Sequence, residues 1–366
     1  MRLPFGAGSG KNYAKVRLPY GIGTETILEV LGYDRSNITM QSSSQQKLTT
    51  KEIGAQLIQN VYKRYPEWEQ QNLTLPKQIS PIKLNKVFIN KKLMAKVPLD
   101  PIHKSVLCGT LFGDTSFSIN KGYANARFQA KHSTRQVEWF TWKYLVLLKE
   151  FCSISSVVYT PPDGYQRNSP LKPGETILGK LKLASKVSET LTSLHSVICK
   201  NNRKTIKRSW LNHMNNYFLM TLWLDDGSLY NDRQGVFCLN STPAAQQRIL
   251  REYLLTVWDI QTEMRVKKSQ PTLKNGLPNY VIHIKDQTSL MRLLRLVAPI
   301  IPVREMLDKV CFFPKNPSLL QRWRTELENL VRPEFKQYVI DYYNAKSAKL
   351  EAKKAKAAAK KQKTLA

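Results

Sequence analysis

The chain has 366 residues, 42% of them apolar, enough for one large core or for two similar halves with extensions, so it is globular over most of its length. Its 57 Lys and Arg against 27 Asp and Glu give a formal charge of +30, a self-repelling excess that points to a polyanionic partner, nucleic acid foremost. No run of about 18 uncharged apolar residues occurs, which argues against a membrane span, and Cys108, Cys152, Cys199, Cys238 and Cys311 lack C-x-x-C spacing and read as buried free thiols in a reducing compartment.

Residues 1–48 are Gly-rich and then Ser/Gln-rich, and read as loop or linker. The stretch 1–22 is basic with no acid before Glu25, a faint organelle-targeting pattern, although its glycines and prolines argue against an amphipathic helix. Thr49 followed by Glu52 forms a capping-box pattern ahead of Ile53, Leu57, Ile58 and Val61, which predicts a helix over 50–64 that stops before Pro66. Residues 77–104 are basic and broken by Pro81, Pro98 and Pro101, fitting a strand pair or a wrapping arm.

The apolar run Leu107-Cys-Gly-Thr-Leu-Phe-Gly-Asp-Thr115 then reads as a helix ending on an Asp. Strands follow at 116–122 and 124–132, a helix at 135–151 with Val137, Phe140, Tyr144, Leu147 and Leu148 on its apolar face, strands at 154–159 and 176–184, and a helix at 188–200. A second run, Leu219-Met-Thr-Leu-Trp-Leu-Asp-Asp-Gly227, ends on Asp226, 112 residues after Asp114. After it the same order returns: strands around Leu229 and at 236–239, a helix at 243–258, strands at 262–266 and 280–284, and a helix at 287–297. This is an internal duplication in pattern, not in letters.

Asn316-Pro317 opens a further helix carrying Leu319, Leu320, Trp323, Leu327 and Leu330 as far as Pro333. Another starts at Glu334 and runs into a Lys/Ala tail. Residues 345–366 supply +7 and leave +23 on the rest, so the tail is a phosphate-contacting or a solvated extension.

An Asp in the last turn of a helix faces the negative end of the helix dipole, at a cost of about 0.3–1 kcal/mol, so a positive group should lie nearby. If the two runs pack together, Asp114 and Asp226 approach each other and need protonation or a bound cation. In the strand at 124–132, Asn125, Arg127, Gln129 and Lys131 alternate with Ala124, Ala126, Phe128 and Ala130. One face is polar and basic, as in a DNA-reading ribbon or a solvated sheet. His103, His132, His195, His213 and His283 show no metal-ligand spacing and read as structural.

The two runs resemble the paired signature helices of the LAGLIDADG homing endonucleases. The first matches at Leu107, Gly109, Leu111 and Asp114, the second at Leu219, Leu222, Asp226 and Gly227. The likeness covers roughly 103–312 and is nearest the single-chain, two-motif branch typified by the yeast mitochondrial omega-intron endonuclease. Asn201-Asn-Arg-Lys-Thr-Ile206 resembles that branch's segment with an active-site lysine, here Lys204. Val297-Ala-Pro-Ile-Ile301 with Met306-Leu-Asp-Lys309 resembles its closing segment, across a one-residue gap, and places a second lysine at Lys309.

The resemblance implies an α+β fold: two pseudo-symmetric αββαββα halves with antiparallel saddle-shaped sheets, paired motif helices at the interface, and basic extensions at both ends. The corresponding divisions are a basic N-terminal extension at 1–102, a first half at 103–205, a second at 206–312, C-terminal helices at 313–344 and the tail at 345–366. Small residues, Gly109 and Thr221, would lie in the contact between the motif helices.

It further implies a monomer that cuts both strands of a long asymmetric DNA site. Asp114 and Asp226 would hold divalent ions, Mg²⁺ foremost, and Lys204 and Lys309 would stabilise the developing charge. Arg127, Lys131, Lys180, Lys182, Arg265, Lys267 and Lys268 would face the groove. The same fold also serves as an intron maturase or a ribosome-associated RNA-binding protein, and the basic extensions suit that reading, so structured intron or ribosomal RNA stands as the alternative partner. A domesticated structural component of a ribonucleoprotein is a third reading. The family and the extensions point to an organelle, mitochondrion or chloroplast, and to no membrane partner.

Overall fold

In the computed structural model, which describes residues 48–70, 75–79, 99–113, 115–161, 179–239, 242–273 and 276–365, the repeated pattern becomes a repeated architecture. These residues all belong to one compact unit. The expected loop before residue 48, most of the proline-broken arm, and Asp114 lie outside them.

Helix α1 (Thr50–Arg64) is closed at its start by the capping box: the Glu52 carboxylate accepts from the Thr49 amide at 2.6 Å, and the Thr49 hydroxyl accepts from the Glu52 amide at 3.3 Å. It buries Leu57, Ile58 and Val61. The first repeat follows as α2 (Pro101–Thr110), β1 (Thr115–Ser118), β2 (Arg127–Ser133), α3 (Val137–Phe140, running on as a π-helix over Thr141–Leu147), β3 (Val157–Thr160), β4 (Lys180–Ala184) and α4 (Glu189–Ile198). A two-stranded hairpin, β5 (Cys199–Lys200) and β6 (Arg203–Lys204), and the short α5 (Arg208–Leu211) lead into the second. This is α6 (Asn216–Asp226), β7 (Gly227–Tyr230), β8 (Gln234–Phe237), α7 (Ala244–Trp258), β9 (Thr262–Val266), β10 (Tyr280–Ile284) and α8 (Gln287–Val297). Both repeats read αββαββα.

Each repeat folds its strands into an antiparallel sheet of the same order, β1-β2-β4-β3 in the first and β7-β8-β10-β9 in the second. One face of each sheet is buried. Phe117, Phe128, Ala130, Leu181 and Leu183 line it in the first sheet, where Phe128 meets the rings of Tyr144 and Phe151, and Phe237, Ile282 and Ile284 line it in the second. The last elements are α9 (Pro317–Leu330), capped by the Asn316 side chain at the Leu319 amide, and α10 (Lys336–Leu365).

Two expectations change. The motif run at 107–115 is helical only to Thr110; the chain then tightens, with Phe112 and Gly113 amides bonding back to Gly109 and Thr110, before β1 starts. The segment at 135–151 is no amphipathic helix. Every residue from Val137 to Leu147 is buried, so it is a core element enclosed on all sides. Its N-terminus is closed from a distance by Glu305, whose carboxylate accepts from the Trp139 amide at 2.6 Å. Α1 packs against β3, where a side-chain carbon on Gly54 would sit 3.2 Å from the Val157 carbonyl, and Arg64 and Tyr65 bind Glu138 at 2.6 and 3.0 Å.

Candidate functional site

The most extensive contact between two elements among the described residues is the crossing of α2 and α6. Α6 is buried on every side from Asn216 to Leu224, as a helix at the centre of a molecule must be. The crossing is close because residue 109 has no side chain: a Cβ there would lie 2.8 Å from Thr221 Cβ and 2.9 Å from the Phe218 carbonyl. Thr221 fits because its hydroxyl donates to the Tyr217 carbonyl one turn back at 2.8 Å, leaving its methyl toward Gly109. Beyond the crossing Phe112 packs on Trp210 and Phe218, with ring centroids 4.1 and 5.4 Å apart.

At the C-terminal ends the two motifs meet. Asp226 is the last residue of α6, and its carboxylate lies so close to Gly113 that a Cβ on residue 113 would collide with it. Gly113 directly precedes Asp114 in the chain.

A lysine reaches each motif end, supplying the positive charge that the helix dipole requires. Lys204 Nζ donates to the carbonyls of Leu111, at 2.7 Å, and Thr115, at 2.9 Å. Lys309 Nζ donates to those of Leu224 and Gly227, the latter at 2.9 Å. In the nine-residue frame these are positions five and nine of the first motif and six and nine of the second, so the arrangement is duplicated. Lys204 arrives by way of the β5–β6 hairpin, whose turn is Asn201-Asn202 with φ of 51° and 56°, both left-handed; asparagine tolerates this conformation. Lys309 arrives on the 3₁₀ helix Arg304–Val310.

Beside this lies a buried charged network that the sequence reading missed. The side chains of Lys143 and Asp225 are both fully buried, and Lys143 Nζ donates to both carboxylate oxygens at 2.7 Å. Trp139 Nε1, at 2.7 Å, and the Thr110 hydroxyl, at 2.9 Å, complete the shell around Asp225. Lys143 also lies 3.2 Å from His132 Nε2, and the Tyr144 hydroxyl bonds to Thr110 and Thr115 at 3.0 and 2.8 Å. Burial raises the Asp225 pKa, but the charges of Lys143 and His132 and the bonds from Lys143 and Trp139 outweigh it and hold the carboxyl below its ordinary range. Burial, with Lys143 alongside, pushes His132 down to about 4, so it is neutral at pH 7. The network is one-sided: at the place of Asp225 the first motif has Gly113, and the buried residues of α7 include no charge.

The expected groove-facing residues divide. Arg127, Lys131, Lys180 and Lys182 come together on the solvent face of the first sheet, with Ser116, Ser118 and Gln129. Lys131 stands directly opposite Lys182, a like-charge pair that costs stability unless an anion lies over it. A shallow concavity of about 630 Å³ opens there, lined by Ser116, Gln129, Lys131, Val158 and Lys182 among others. On the second sheet only Arg265 lies on a strand, and it is paired with Glu263. Lys267 and Lys268 fall beyond the end of β9.

Among the described residues no group of three or more His, Cys, Asp or Glu is placed to hold a metal on its own. The hard oxygen of Asp226 fits an ion of the Mg²⁺ type that draws its remaining ligands from water and phosphate.

The family model of the LAGLIDADG DNA endonuclease family matches residues 104–289, about half of the chain. The chain belongs to that family of DNA endonucleases, enzymes that hydrolyse phosphodiester bonds. A solved structure described as the homing endonuclease I-WcaI bound to its DNA recognition sequence is similar at 20% identity and a TM-score of 0.46, over 68% of this chain and 99% of that one. No curated protein matches the chain.

Proposed function

We propose that this protein is a site-specific homing endonuclease that hydrolyses one phosphodiester on each strand of a DNA duplex, with one motif end serving each strand. The observation that carries this reading is the duplicated lysine clasp: Lys204 and Lys309 each bridge the carbonyls at the end of a motif helix, and Asp226 lies against the partner motif at the same place. Two like centres related by a pseudo-two-fold suit two antiparallel strands.

In this reading Asp114 and Asp226 hold divalent metal, Mg²⁺ being the ion of choice. The metal, when bound, supplies the activation of water and the stabilisation of the leaving oxygen. Lys204 and Lys309 hold fixed positive charge where the phosphate gains negative charge, and their double carbonyl anchors keep that charge in place before substrate arrives. Arg127, Lys131, Lys180 and Lys182 bind phosphates and base edges along the first sheet, with Gln129 and Ser116 suited to base contacts. Arg265, Lys267 and Lys268 contribute on the second half.

The test is Mg²⁺-dependent cleavage of the host's intron-less organellar DNA by the purified chain, beside Asp226→Asn and the Asp114→Asn, Asp226→Asn double variant. Discrete double-strand breaks made by the unmodified protein alone support the reading. Asp226→Asn should abolish cutting while binding stays within about tenfold, roughly 1.4 kcal/mol. Unchanged cutting by that variant would refute the metal role.

A further inference from the structure

The two halves differ in how they can hold a polyanion, and the C-terminal helix bears on that difference. The first sheet carries four cations on its open face; the second carries Arg265 alone on its strands, and Glu263 neutralises it. Α10 leaves the body beside the second half. Its start is anchored by Phe335, just before it, and by Val339 and Tyr343 in its first turns, all buried, with the Tyr343 hydroxyl donating to the Phe312 carbonyl at 2.8 Å. Lys346 bonds Asp232 in the β7–β8 turn at 2.7 Å, and the Phe313 amide bonds the Asp232 carbonyl at 2.7 Å. That turn ends a strand that begins at Gly227, next to Asp226, so it lies one strand of four residues, about 13 Å, from the motif end.

From Ser347 to Ala359 every residue of α10 is exposed, and the helix continues to Leu365. Its lysines are in register. Lys346, Lys349, Lys353, Lys356, Lys360 and Lys363 recur at alternating steps of three and four, a single stripe along the helix, and Ala345, Ala348, Ala352, Ala355 and Ala359 form a smooth stripe next to it. The one acid of the exposed stretch, Glu351, is paired with Lys354, which stands off the stripe, at 2.8 Å. A tail needed only for solubility has no reason to align its charges. A helix presented to a phosphate backbone does.

We propose that the lysine stripe of α10 binds the phosphate backbone of duplex DNA flanking the recognised site on the side of the second half, offsetting the weak charge of the second sheet. The proposal rests on the reading that the chain grips duplex DNA, but not on its cutting it. From Lys349 to Lys363 the stripe spans about 21 Å of helix. One strand of duplex DNA carries a phosphate about every 3.4 Å, so about six phosphates of one strand lie alongside this length, enough for about three to four of them to be neutralised by the stripe.

The experiment compares the full chain with the variant Lys349→Gln, Lys353→Gln, Lys356→Gln, Lys360→Gln, Lys363→Gln, in which glutamine preserves helix propensity. Equal far-ultraviolet circular dichroism certifies the fold. Fluorescence anisotropy then gives Kd for mixed-sequence 20- and 40-base-pair duplexes from 50 to 300 mM KCl. On the longer duplex the variant should bind at least tenfold more weakly at 150 mM, with a salt slope shallower by about 3; on the shorter one the two proteins should differ little. Identical slopes on the 40-mer overturn the proposal. So does a stripe-dependent slope confined to a structured RNA of equal charge, which would reassign the helix to RNA. Absence of cleavage alongside a stripe-dependent DNA slope would sink the nuclease reading and leave this one standing.

Discussion

Replacing Lys143 by methionine isolates one charge. Methionine keeps an unbranched stem of similar length, so packing changes little while the ammonium disappears. The pair it leaves is fully buried on both sides, and Asp225 would retain only Trp139 Nε1 and the Thr110 hydroxyl as donors. Removing one partner of a buried ion pair costs about 3–5 kcal/mol, a large part of the roughly 5–15 kcal/mol that holds a domain folded. The carboxylate can escape by taking a proton. With Lys143 present, the lowered pKa of Asp225 adds stability above the ordinary carboxylate range, and that stability fades only as pH falls through the depressed value. With Lys143 gone, the bonds from Trp139 and Thr110 alone oppose the effect of burial, the folded pKa rises above the unfolded one, and the penalty grows as pH increases. Urea unfolding at pH 5 and pH 8 should therefore show Lys143→Met more damaging at pH 8. The double variant Lys143→Met, Asp225→Asn should recover about 2 kcal/mol relative to the sum of its parts. A loss below about 1 kcal/mol at pH 8, or strict additivity, would refute the assignment of this pair as a structural charge lock.

Gly109→Ala should cost about 1–3 kcal/mol by overpacking, because the new methyl meets Thr221 and a backbone carbonyl that cannot swing away; an unchanged urea midpoint would show that the helices separate freely. Burial lifts the Glu305 carboxyl to about 8, the charge of Glu138 adding to it against the amide bonds from Trp139 and Glu138. A folded pKa raised in this way favours the fold below about pH 4.5 and withdraws that support as pH climbs through 8. Melting temperature should accordingly fall between pH 5 and 8 in the unmodified chain more than in Glu305→Gln, and parallel profiles would count against the burial of that acid.

What the sequence reveals and what it hides follow from the range of the interactions. The capping box of Thr49 and Glu52, the Asn316-Pro317 start and the Gln287–Val297 helix are set by neighbours a few residues apart, and each is formed as read. The strands at 262–266 and 280–284, the second rich in β-branched residues, are also formed as read. The Lys143–Asp225 pair spans 82 residues and has no periodic signature. Its trace in the sequence is a single lysine inside the apolar stretch from Val137 to Leu148 and a doubled acid at the end of the second run. Taken separately each looks incidental; a charge in a stretch that must be buried, Lys143 as much as Glu138, is nonetheless a demand for an opposite charge elsewhere. The π-turns of that same segment were hidden because a helix buried on all sides has no face for periodicity to report.

The same pair also bears on how the two halves could be exchanged. Each motif end receives its lysine from its own repeat, Lys204 from the hairpin that closes the first and Lys309 from the segment that closes the second, so in that respect either repeat could be doubled into a homodimer. Lys143 and Asp225 forbid it. Two copies of the first half would face each ammonium with Gly113, and two copies of the second would bury each carboxylate beside an α7 whose buried residues include no cation. An ancestral symmetric pairing is thus closed to this chain, and any shuffling of its halves between relatives must carry both members of the pair or remove both.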